Sequence, residues 1–258
     1  MIPKAFDLSG RVALVTGAGS DTGIGFAVAR LLGELGASVA VTSTTERIHQ
    51  RAADLPARGA SGHVADLTDE VQVARVVEDV VERHGGLDIV VNNAGMVSIG
   101  SGAESGRLVD MTLSTWRAGM ARNLDTAFLV CRAALPRVAA RGWGRVVNVT
   151  SVTGPVMAMR DEPAYAAAKA AMVGLARSIA VDFGASGVTA NAVAPGWIAT
   201  GSQTPHEHEQ GLLTPLGRSA APEEVAGAIA WLCTPGAAYV TGQCLVVDGG
   251  NSIAEERA

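Results

Sequence analysis

Cysteine is scarce in this sequence, with only three residues in 258. Cys131, Cys233 and Cys244 are odd in number and widely spaced, so neither a disulfide framework nor a cysteine-based metal site is predicted. We interpret all three as reduced core residues. The pair His206 and His208 in PHEHEQ lacks further ligands at useful spacing, so we interpret it as part of a solvated loop and predict no metal site.

Charged residues and long apolar runs are also few. Charged side chains make up 17% of the sequence and leave a formal net charge of −5, which offers no field to attract nucleic acid or anionic lipid. No uncharged apolar run approaches the roughly 18 residues of a membrane span. The first residues, MIPKAFDLSG, lack the apolar core of a signal peptide. We therefore expect a cytoplasmic protein with no nucleic-acid partner and no membrane partner.

Aromatic residues amount to only 4%, whereas 48% of the residues are hydrophobic, which supplies a sizeable core. Short β-rich runs alternate with longer helical segments. The runs are continuously apolar, as is typical of strands covered on both faces. They are RVALVT, SVAVTS, GHVAD, DIVVNNA, GRVVNVTS, VTANAVAP and CLVVDGG. This pattern predicts an α/β fold, a doubly wound, seven-stranded parallel sheet with helices on both faces (a Rossmann fold).

No linker or charge run divides the chain, so we expect a single domain over residues 1–258. Long helices are expected at about 112–141 and 163–184. Two segments, Val97 to Asp110 and Trp197 to Ser219, lack clear periodicity. Because loops at the carboxyl ends of strands shape the ligand crevice of open α/β sheets, we predict a substrate loop at about 197–219.

A glycine-rich turn joins the first strand to a helix in LVTGAGSDTGIGFAVARLL, which begins at Leu14. A helix N-terminus attracts the pyrophosphate of a dinucleotide, and glycines let the backbone approach it. Two spacings can be counted, Gly17-x5-Gly23-x-Gly25 and Gly19-x3-Gly23-x-Gly25, and in both of them Gly23 and Gly25 open the helix. A glycine pattern also fits a plain strand–helix turn, so further motifs decide whether a cofactor binds here.

Three further motifs lie on predicted strand ends, namely Asp66-Leu67 in VADLTD, the NNAG of DIVVNNAG, and Pro195-Gly196 in VAPGWIAT. With the glycine turn they resemble the short-chain dehydrogenase/reductase family, and the resemblance runs from about Ser9 to Asn251. It implies that NNAG supports the sheet and the adenosine side of a dinucleotide, that Asp66 holds the adenine ring, and that Ile198 and Thr200 hold the nicotinamide amide. The implied cofactor contacts are Gly17, Gly19, Ser20, Gly23, Ile24, Ser43, Thr44, Arg47, Asp66, Leu67, Asn93, Ala94, Gly95, Tyr165, Lys169, Pro195, Gly196, Ile198 and Thr200.

The pair Tyr165-x-x-x-Lys169 lies on a predicted helix, where positions i and i+4 share a face. A phenol with its usual pKa of about 10 is a poor proton donor at neutral pH. A nearby ammonium lowers that pKa toward the range of general acid/base catalysis. Ser151 ends a predicted strand fourteen positions before Tyr165, so the strand end and the helix face can converge there.

Asn123 in ARNLDTAFLV, on the preceding predicted helix, completes a set that resembles the catalytic tetrad of the family. The resemblance implies that Tyr165 exchanges the proton at the carbonyl oxygen and that Ser151 orients this oxygen. It also implies that Lys169 lowers the pKa of Tyr165 and binds the nicotinamide ribose, while Asn123 helps hold a water that relays protons to Lys169. The interval between Ser151 and Tyr165 is slightly longer than is common in the family.

The end of the second strand bears on the choice of nicotinamide cofactor. An acidic residue there would bind the ribose 2′-hydroxyl of NAD and repel the 2′-phosphate of NADP. This chain has Ser43 and Thr44 instead, and Arg47 follows Glu46. Because small hydroxyls leave room for a phosphate and Arg47 can reach it, we predict NADP(H) in preference to NAD(H).

We therefore expect an oxidoreductase that transfers a hydride between NADP(H) and a carbonyl or secondary-alcohol small molecule, similar overall to 3-oxoacyl-ACP reductases. The alternatives are an NAD-dependent sugar or polyol dehydrogenase of the same family, an enoyl reductase, and a non-catalytic nucleotide sensor. The longer glycine turn resembles the enoyl reductases, but those enzymes place their Tyr and Lys farther apart than here. The Ala-rich long helices, with the resemblance, predict a homotetramer.

Overall fold

The structure is a computed structural model that describes residues 2–57, 59–95 and 105–256. Within these ranges seven strands form one sheet, and every pair of neighbouring strands is parallel. The strands are β1 (Val12–Val15), β2 (Ser38–Ser43), β3 (Ser61–Val64), β4 (Ile89–Asn92), β5 (Gly144–Val149), β6 (Val188–Pro195) and β7 (Cys244–Val247). Every residue of β1, β4, β5 and β6 is buried, which agrees with their continuously apolar sequences.

Eight α-helices in the described part cover the sheet. They are α1 (Ile24–Glu34), α2 (Arg47–Ala53), α3 (Glu70–His84), α4 (Leu113–Met120), α5 (Thr126–Ala139), α6 (Pro163–Phe183), α7 (Pro205–Leu212) and α8 (Pro222–Leu232). Helices α1, α2 and α8 bury side chains such as Val28, Ile48 and Ile229 in one core cluster. Helices α3, α5 and α6 contribute Val76 and Ile179, among others, to a second cluster. The predicted doubly wound sheet with helices on both faces is confirmed.

The strand order is β3-β2-β1-β4-β5-β6-β7. The chain therefore winds outward from β1 to β3 and then returns to pair β4 with the other side of β1. The connections after β1 and β4 diverge to opposite faces of the sheet, which leaves a crevice at the carboxyl ends of these strands. The glycine turn follows β1 and the NNAG motif ends β4, so both predicted motifs lie at this crevice.

Asp88, which directly precedes β4, ties down the opposite end of the sheet. Its carboxylate is fully buried and accepts hydrogen bonds from the Val12 amide at 2.9 Å, from Arg11 at 3.1 Å and from Arg141 at 2.8 Å. Trp143 contacts the Arg11 guanidinium, which lies 3.9 Å from the ring centroid. These contacts stabilise the amino ends of the central strands, which lie opposite the predicted site.

Three expectations about local structure need correction. The helix expected at about 112–141 is not uniform, because a π-helical turn, Ala121–Asp125, separates α4 from α5. The segment 197–219 is not all loop, because it contains α7, which a capping box between Thr204 and Glu207 starts. His206 and His208 therefore lie on this helix rather than in a loop. Of the segment expected to shape the crevice at 97–110, residues 97–104 lie outside the described residues.

The three cysteines are free thiols, with Cys131 and Cys233 buried and Cys244 partly buried. Over the described ranges, no group of three or more His, Cys, Asp or Glu side chains is arranged to hold a metal ion. Burial raises the pKa of both Cys131 and Cys233 to about 12, so both remain protonated thiols at neutral pH.

Among the described residues, one helical stretch, Pro163–Ser186, has the length and mean hydropathy (1.2) needed to cross a membrane. It consists of α6 and the short 3-10 turn that follows it. Helix α6 packs against β5 and β6 and buries Lys169 and Met172, as a core helix of the fold does.

Candidate active site

The glycine turn wraps the carboxyl end of β1 closely. Gly17 has a φ of +68°, and a Cβ at this position would lie 2.8 Å from Cα of Ala94, so only glycine fits. Helix α1 begins after Gly23, and no side chain in the described part of the chain caps its first N–H groups. Helices α3, α4 and α7, by contrast, are capped by Asp69, Thr112 and Thr204. An uncapped helix N-terminus behind a close-packed glycine turn fits the pyrophosphate of a dinucleotide.

Both spacings counted in the sequence correspond to real contacts. Gly17 takes the position at the strand end, whereas a Cβ at Gly19 would lie 2.8 Å from Cβ of Ser43 at the end of β2. The extra length of the turn lies at residues 20–22. Asp21 forms an ion pair with Arg51 of α2 at 3.1 Å. The Thr22 hydroxyl lies so close to Gly201 that a Cβ added to this glycine would be 2.4 Å from the hydroxyl oxygen. The longer turn therefore contacts both α2 and the predicted substrate segment.

The NNAG motif joins the ends of β4 and β1. The Thr16 hydroxyl accepts hydrogen bonds from the backbone amides of Asn93 at 3.0 Å and Ala94 at 2.9 Å. The Asn93 side chain donates to the carbonyl oxygens of Thr16 at 3.0 Å and Gly17 at 3.1 Å. Gly95 has a φ of +123° and lies beside Asn123, whose Oδ1 would be 3.0 Å from a Cβ there. The motif thus holds the turn in shape and links it to the π-helical segment.

At the end of β2, Ser43 lies beside the glycine turn. Its hydroxyl donates to the Thr45 carbonyl at 2.9 Å and forms a tight local turn with exposed Thr44 inside it. Arg47, the first residue of α2, is exposed, and its Nε would lie 3.2 Å from a Cβ on Gly19. Ser43, Arg47 and Gly19 therefore surround one small surface at the end of β2.

At the end of β3, the Asp66 carboxylate accepts hydrogen bonds from the Thr68 amide at 2.9 Å and from the Thr68 hydroxyl at 2.7 Å. Asp66 is exposed, whereas Leu67 is buried in the second core cluster. The local turn fixes Asp66 at the edge of the sheet, on the side where an adenine ring is expected.

The Pro195-Gly196 motif closes the crevice after β6. A Cβ on Gly196 would lie 2.7 Å from Cβ of Asp248, and the Val152 amide donates to the Pro195 carbonyl at 2.9 Å. Ile198 then forms an isolated bridge with Ala220. The Thr200 hydroxyl shares a 2.9 Å hydrogen bond with Ser202. These contacts place Ile198 and Thr200 at the carboxyl end of β6, next to the Thr22 side of the glycine turn.

Tyr165, Ser151 and Lys169 are brought together as predicted. Ser151 follows β5, and its hydroxyl lies close enough to the Tyr165 phenol to lower the pKa of that group. Lys169 is only 2% exposed, and its Nζ donates to the Val149 carbonyl at 3.1 Å while lying 5.6 Å from the centre of the Tyr165 ring. Because Asn148 of β5 also donates to the Met172 carbonyl of α6 at 3.0 Å, the helix is fixed against the strand that carries Ser151.

The expected lowering of the Tyr165 pKa is not found. Burial raises the pKa of the phenol, the nearby Ser151 hydroxyl lowers it, and the carboxylates of Glu162 and Glu207 raise it further. Burial lowers the pKa of Lys169 to about 8, so this ammonium is mostly charged at neutral pH. Burial outweighs the neighbouring groups in this structure, and sequence spacing carries no measure of burial.

Asn123 lies in the π-helical turn and is 1% exposed. Its Nδ2 donates to the Gly119 carbonyl at 3.2 Å, and its Oδ1 has no hydrogen-bond partner among the described residues. The turn packs against α6. No direct hydrogen bond joins Asn123 to Lys169 within the described ranges, so an intervening water would be needed to connect them.

Two acidic residues at this site were missed by sequence reasoning. Glu162 is only 8% exposed at the start of α6, and Glu207 lies in the first turn of α7. Both act electrostatically on Tyr165. The signals were present, because Glu162 lies three residues before Tyr165 and TPHE matches the capping-box pattern.

Comparison with known proteins identifies the family of the chain. Residues 17–252 match the family model described as "Enoyl-(Acyl carrier protein) reductase". The chain is 38% identical to the 3-oxoacyl-[acyl-carrier-protein] reductase FabG of Vibrio cholerae, over 95% of this chain and 98% of that protein. It is 39% identical to a cis-4-hydroxycyclohexanecarboxylate dehydrogenase of Sinomonas cyclohexanicum, over 93% and 96% of the two chains.

A solved structure of a dehydrogenase/reductase from Sinorhizobium meliloti superposes with a TM-score of 0.87 at 32% identity, covering 96% of this chain and 97% of that chain. Its fold therefore matches nearly the whole molecule. The chain belongs to the short-chain dehydrogenase/reductase family and is an NAD(P)-dependent oxidoreductase that acts between CH–OH and C=O groups.

Proposed function

We propose that this protein is an NADP(H)-dependent carbonyl reductase or secondary-alcohol dehydrogenase in which Tyr165 is the general acid/base. One observation carries the proposal. The buried Lys169 ammonium lies 5.6 Å from the centre of the Tyr165 ring and donates to the Val149 carbonyl of β5, the strand that Ser151 directly follows. This arrangement brings a proton donor, an orienting hydroxyl and a cation together at the carboxyl end of β5.

A nicotinamide held in the crevice would supply or accept the hydride at the substrate carbon. Ser151 orients the substrate oxygen, and Tyr165 delivers a proton to it in reduction or removes one in oxidation. Lys169 lies near the phenol and stabilises its anionic form, and it also binds the nicotinamide ribose. Asn123 holds a water that returns protons to Lys169, and its buried Oδ1, which has no hydrogen-bond partner among the described residues, supports this role. The other implied cofactor contacts, from Gly17 to Thr200, belong to the same proposal.

Tyr165→Phe tests this assignment because it removes one hydroxyl from a side chain that otherwise keeps its shape. We expect kcat to fall by at least about 100-fold with NADPH and a ketone substrate, since positioned proton transfer contributes that much. Cofactor binding should be retained, as measured by quenching of tryptophan fluorescence. A variant with unchanged turnover would contradict the catalytic role and favour a nucleotide sensor.

The preference for NADP(H) rests on the surface formed by Gly19, Ser43 and Arg47. A 2′-phosphate placed there would receive a charge-assisted hydrogen bond from Arg47, and one from the Ser43 hydroxyl if this exchanges its bond to the Thr45 carbonyl for the phosphate. Arg47→Ala should lower kcat/KM for NADPH by about 10-fold or more and change that for NADH little. If wild-type protein uses NADH much better than NADPH, the cofactor assignment is wrong.

An enoyl reductase is the second candidate, because the matching family model carries that description and the glycine turn is long. The spacing of Tyr165 and Lys169 favours carbonyl reduction. An α,β-unsaturated ketone separates the two activities, because carbonyl reduction yields an allylic alcohol whereas enoyl reduction yields the saturated ketone. An NAD-dependent sugar or polyol dehydrogenase remains the alternative within the family.

We also propose that the protein is a cytoplasmic homotetramer. Leu113, Phe128 and Val181 are 61%, 45% and 83% exposed on α4, α5 and α6, and an isolated chain leaves these apolar side chains in water. Packing of these helices against a second copy would cover them. Light scattering on the purified protein should give four times the mass of the chain, and a monomeric mass would overturn this proposal.

A further inference from the structure

The turn that carries Ser151 closes on itself and packs on α6. This Ser151 turn comprises residues 151–157, and it closes where the Gly154 amide donates to the Met157 carbonyl at 2.7 Å. A Cβ at Gly154 would collide with the Ala166 carbonyl oxygen, so the turn lies directly against the helix that supplies the phenol and the ammonium of the site. Contacts that hold this turn therefore affect how Ser151 faces the substrate.

Asn251, near the far end of the chain, contacts the Ser151 turn as well. Its Nδ2 donates to Sδ of Met157, with 3.5 Å between the two atoms. Asn251 lies in the tight turn after β7, where the Asp248 carboxylate accepts hydrogen bonds from the Gly250 amide at 3.0 Å and from the Ser252 amide at 2.7 Å. These bonds fix the backbone on both sides of Asn251, so its side chain contacts Met157 from a rigid support.

The burial of the Asn251 amide is poorly compensated. The residue is only 4% exposed, its Oδ1 has no hydrogen-bond partner among the described residues, and a thioether sulfur is a weak acceptor for its Nδ2. Asn191 of β6 is also buried, but it donates to the Val240 carbonyl at 2.8 Å and accepts from the Gln243 amide at 3.1 Å. A buried amide with an unbonded oxygen is less favourable than an apolar side chain of the same shape. Stability therefore does not account for an asparagine at position 251.

Resting on the proposed function, we propose that Asn251 is a positioning residue that keeps the Ser151 hydroxyl directed at the substrate oxygen. The Ser151 Oγ accepts a hydrogen bond from the Thr153 amide at 3.1 Å, so the shape of the Ser151 turn sets the direction in which this hydroxyl donates. Asn251 acts through Met157, the residue that closes the turn. Because misplacement by about 1 Å can cost roughly 100-fold in rate, loss of the contact at Met157 affects the chemical step.

Asn251→Leu tests this role, because leucine has the branched shape of asparagine without its hydrogen-bonding atoms. Reduction of cyclohexanone and of ethyl 3-oxobutanoate is followed by oxidation of NADPH or NADH, and the pair of ketone and cofactor that wild-type protein uses best serves for all variants. We expect kcat to fall by at least about 5-fold, while the KM for the cofactor stays within about 2-fold of wild type. Tm should equal or exceed the wild-type value, since the buried unbonded oxygen is removed.

Met157→Leu removes the acceptor from the same contact and conserves the volume of the side chain. It should lower kcat by a similar factor, and the Asn251→Leu/Met157→Leu double variant should be no slower than either single variant. Met159→Leu is the matched control, because Met159 is an exposed methionine two residues further on, and its kcat should equal that of wild type. In protein labelled at the methionine methyl groups, the NMR signal that Met157→Leu removes should shift in Asn251→Leu, and an unmoved signal would show that the contact does not exist.

Ser151→Ala identifies the group through which Asn251 acts. In this background Asn251→Leu should cause no further loss of kcat, because no hydroxyl remains to be positioned. An equal loss in both backgrounds overturns the inference, and so does a lowered Tm with unchanged kcat, which would make Asn251 a structural residue only.

The same variants separate this inference from the proposed function. If Ser151→Ala is slow and Asn251→Leu is as fast as wild type, the inference alone is wrong. If Ser151→Ala has the kcat of wild type, or if wild-type protein reduces neither ketone with either nicotinamide, the proposed function fails and the inference fails with it.

Discussion

Substituting Gly25 by Ala in α1 has two effects of opposite sign on the free energy of unfolding. Alanine in a helix interior is favoured over glycine by roughly 0.5–1 kcal/mol. A Cβ on Gly25, however, would lie 2.5 Å from Nδ2 of Asn93 and 2.7 Å from the Gly17 carbonyl oxygen. Ordinary contact needs about 3.5 Å, so the turn or Asn93 must move by close to 1 Å.

The unfavourable effect should dominate. Overpacking a close-packed site costs roughly 1–3 kcal/mol. Movement of Asn93 also weakens its hydrogen bonds to Thr16 and Gly17, at about 1 kcal/mol each. After the helix-propensity gain is subtracted, we expect Gly25→Ala to lower the free energy of unfolding by about 2 kcal/mol. In a chain of this length that corresponds to a fall in Tm of roughly 4–8 °C.

The matched control is Gly227→Ala in α8. Gly227 is also inside a helix, but it is exposed and a Cβ there would have no atom of the described residues within 4 Å. This variant should raise Tm by about 2–3 °C through helix propensity alone. Tm by differential scanning fluorimetry and NADPH affinity by fluorescence titration are measured on both, and Gly25→Ala should also weaken NADPH binding by at least 10-fold. If Gly25→Ala is as stable as wild type and binds NADPH normally, the close approach of α1 to Asn93 is not what shapes the turn.

Three further results are expected. Asp88→Asn should lower the free energy of unfolding by about 2–4 kcal/mol in urea denaturation, because it removes the buried charge that three donors share, and an unchanged midpoint would contradict that role. Gly201→Ala should raise the KM for NADPH several-fold, because its Cβ would collide with the Thr22 hydroxyl. The Thr22→Ala/Gly201→Ala double variant should restore the wild-type KM. Purely additive effects of the two substitutions would show that the two segments do not touch. Burial lowers the pKa of His63 and of His84 below the value of 6.5 expected in the unfolded chain. As the pH falls below about 6.5, the unfolded chain therefore takes up protons that the folded chain does not, and the folded state loses stability. The loss appears as a falling Tm between pH 7 and pH 5, and it should be smaller in the His63→Gln/His84→Gln variant.

The fold could be predicted because each strand and each helix is identified by residues that are close together in the sequence. Continuous apolar runs such as RVALVT and VTANAVAP identify strands buried on both faces, and the helices between them impose parallel pairing. The strand order, with β4 returning beside β1, follows once the glycine turn and NNAG are assigned to neighbouring strand ends. No charge run or turn cluster contradicted this arrangement.

The site was predicted less completely, since its chemistry depends on burial and on contacts between distant segments. The spacing of Tyr165 and Lys169 correctly placed the ammonium near the phenol, but the expected lowering of the phenol pKa is reversed by burial. The π-helical turn at Asn123 could not be foreseen, because no Pro or Gly marks it within Ala121–Asp125. Helix α7 was missed because PHEHEQGL has little apolar periodicity, although Thr204 and Glu207 form a readable capping box.

The long glycine turn shows how a local ambiguity in sequence is resolved by tertiary contacts. Counting residues alone left two alignments of the glycines, because either Gly17 or Gly19 fits the first position of a phosphate-binding turn. In the structure neither is redundant, since Gly17 packs on Ala94 and Gly19 packs on Ser43. The residues between Gly19 and Gly23 then extend to Arg51 on one side and to Gly201 on the other. The longer turn therefore connects the surface expected to bind the 2′-phosphate with the segment expected to cover the substrate. A substitution in either one should alter binding at the other.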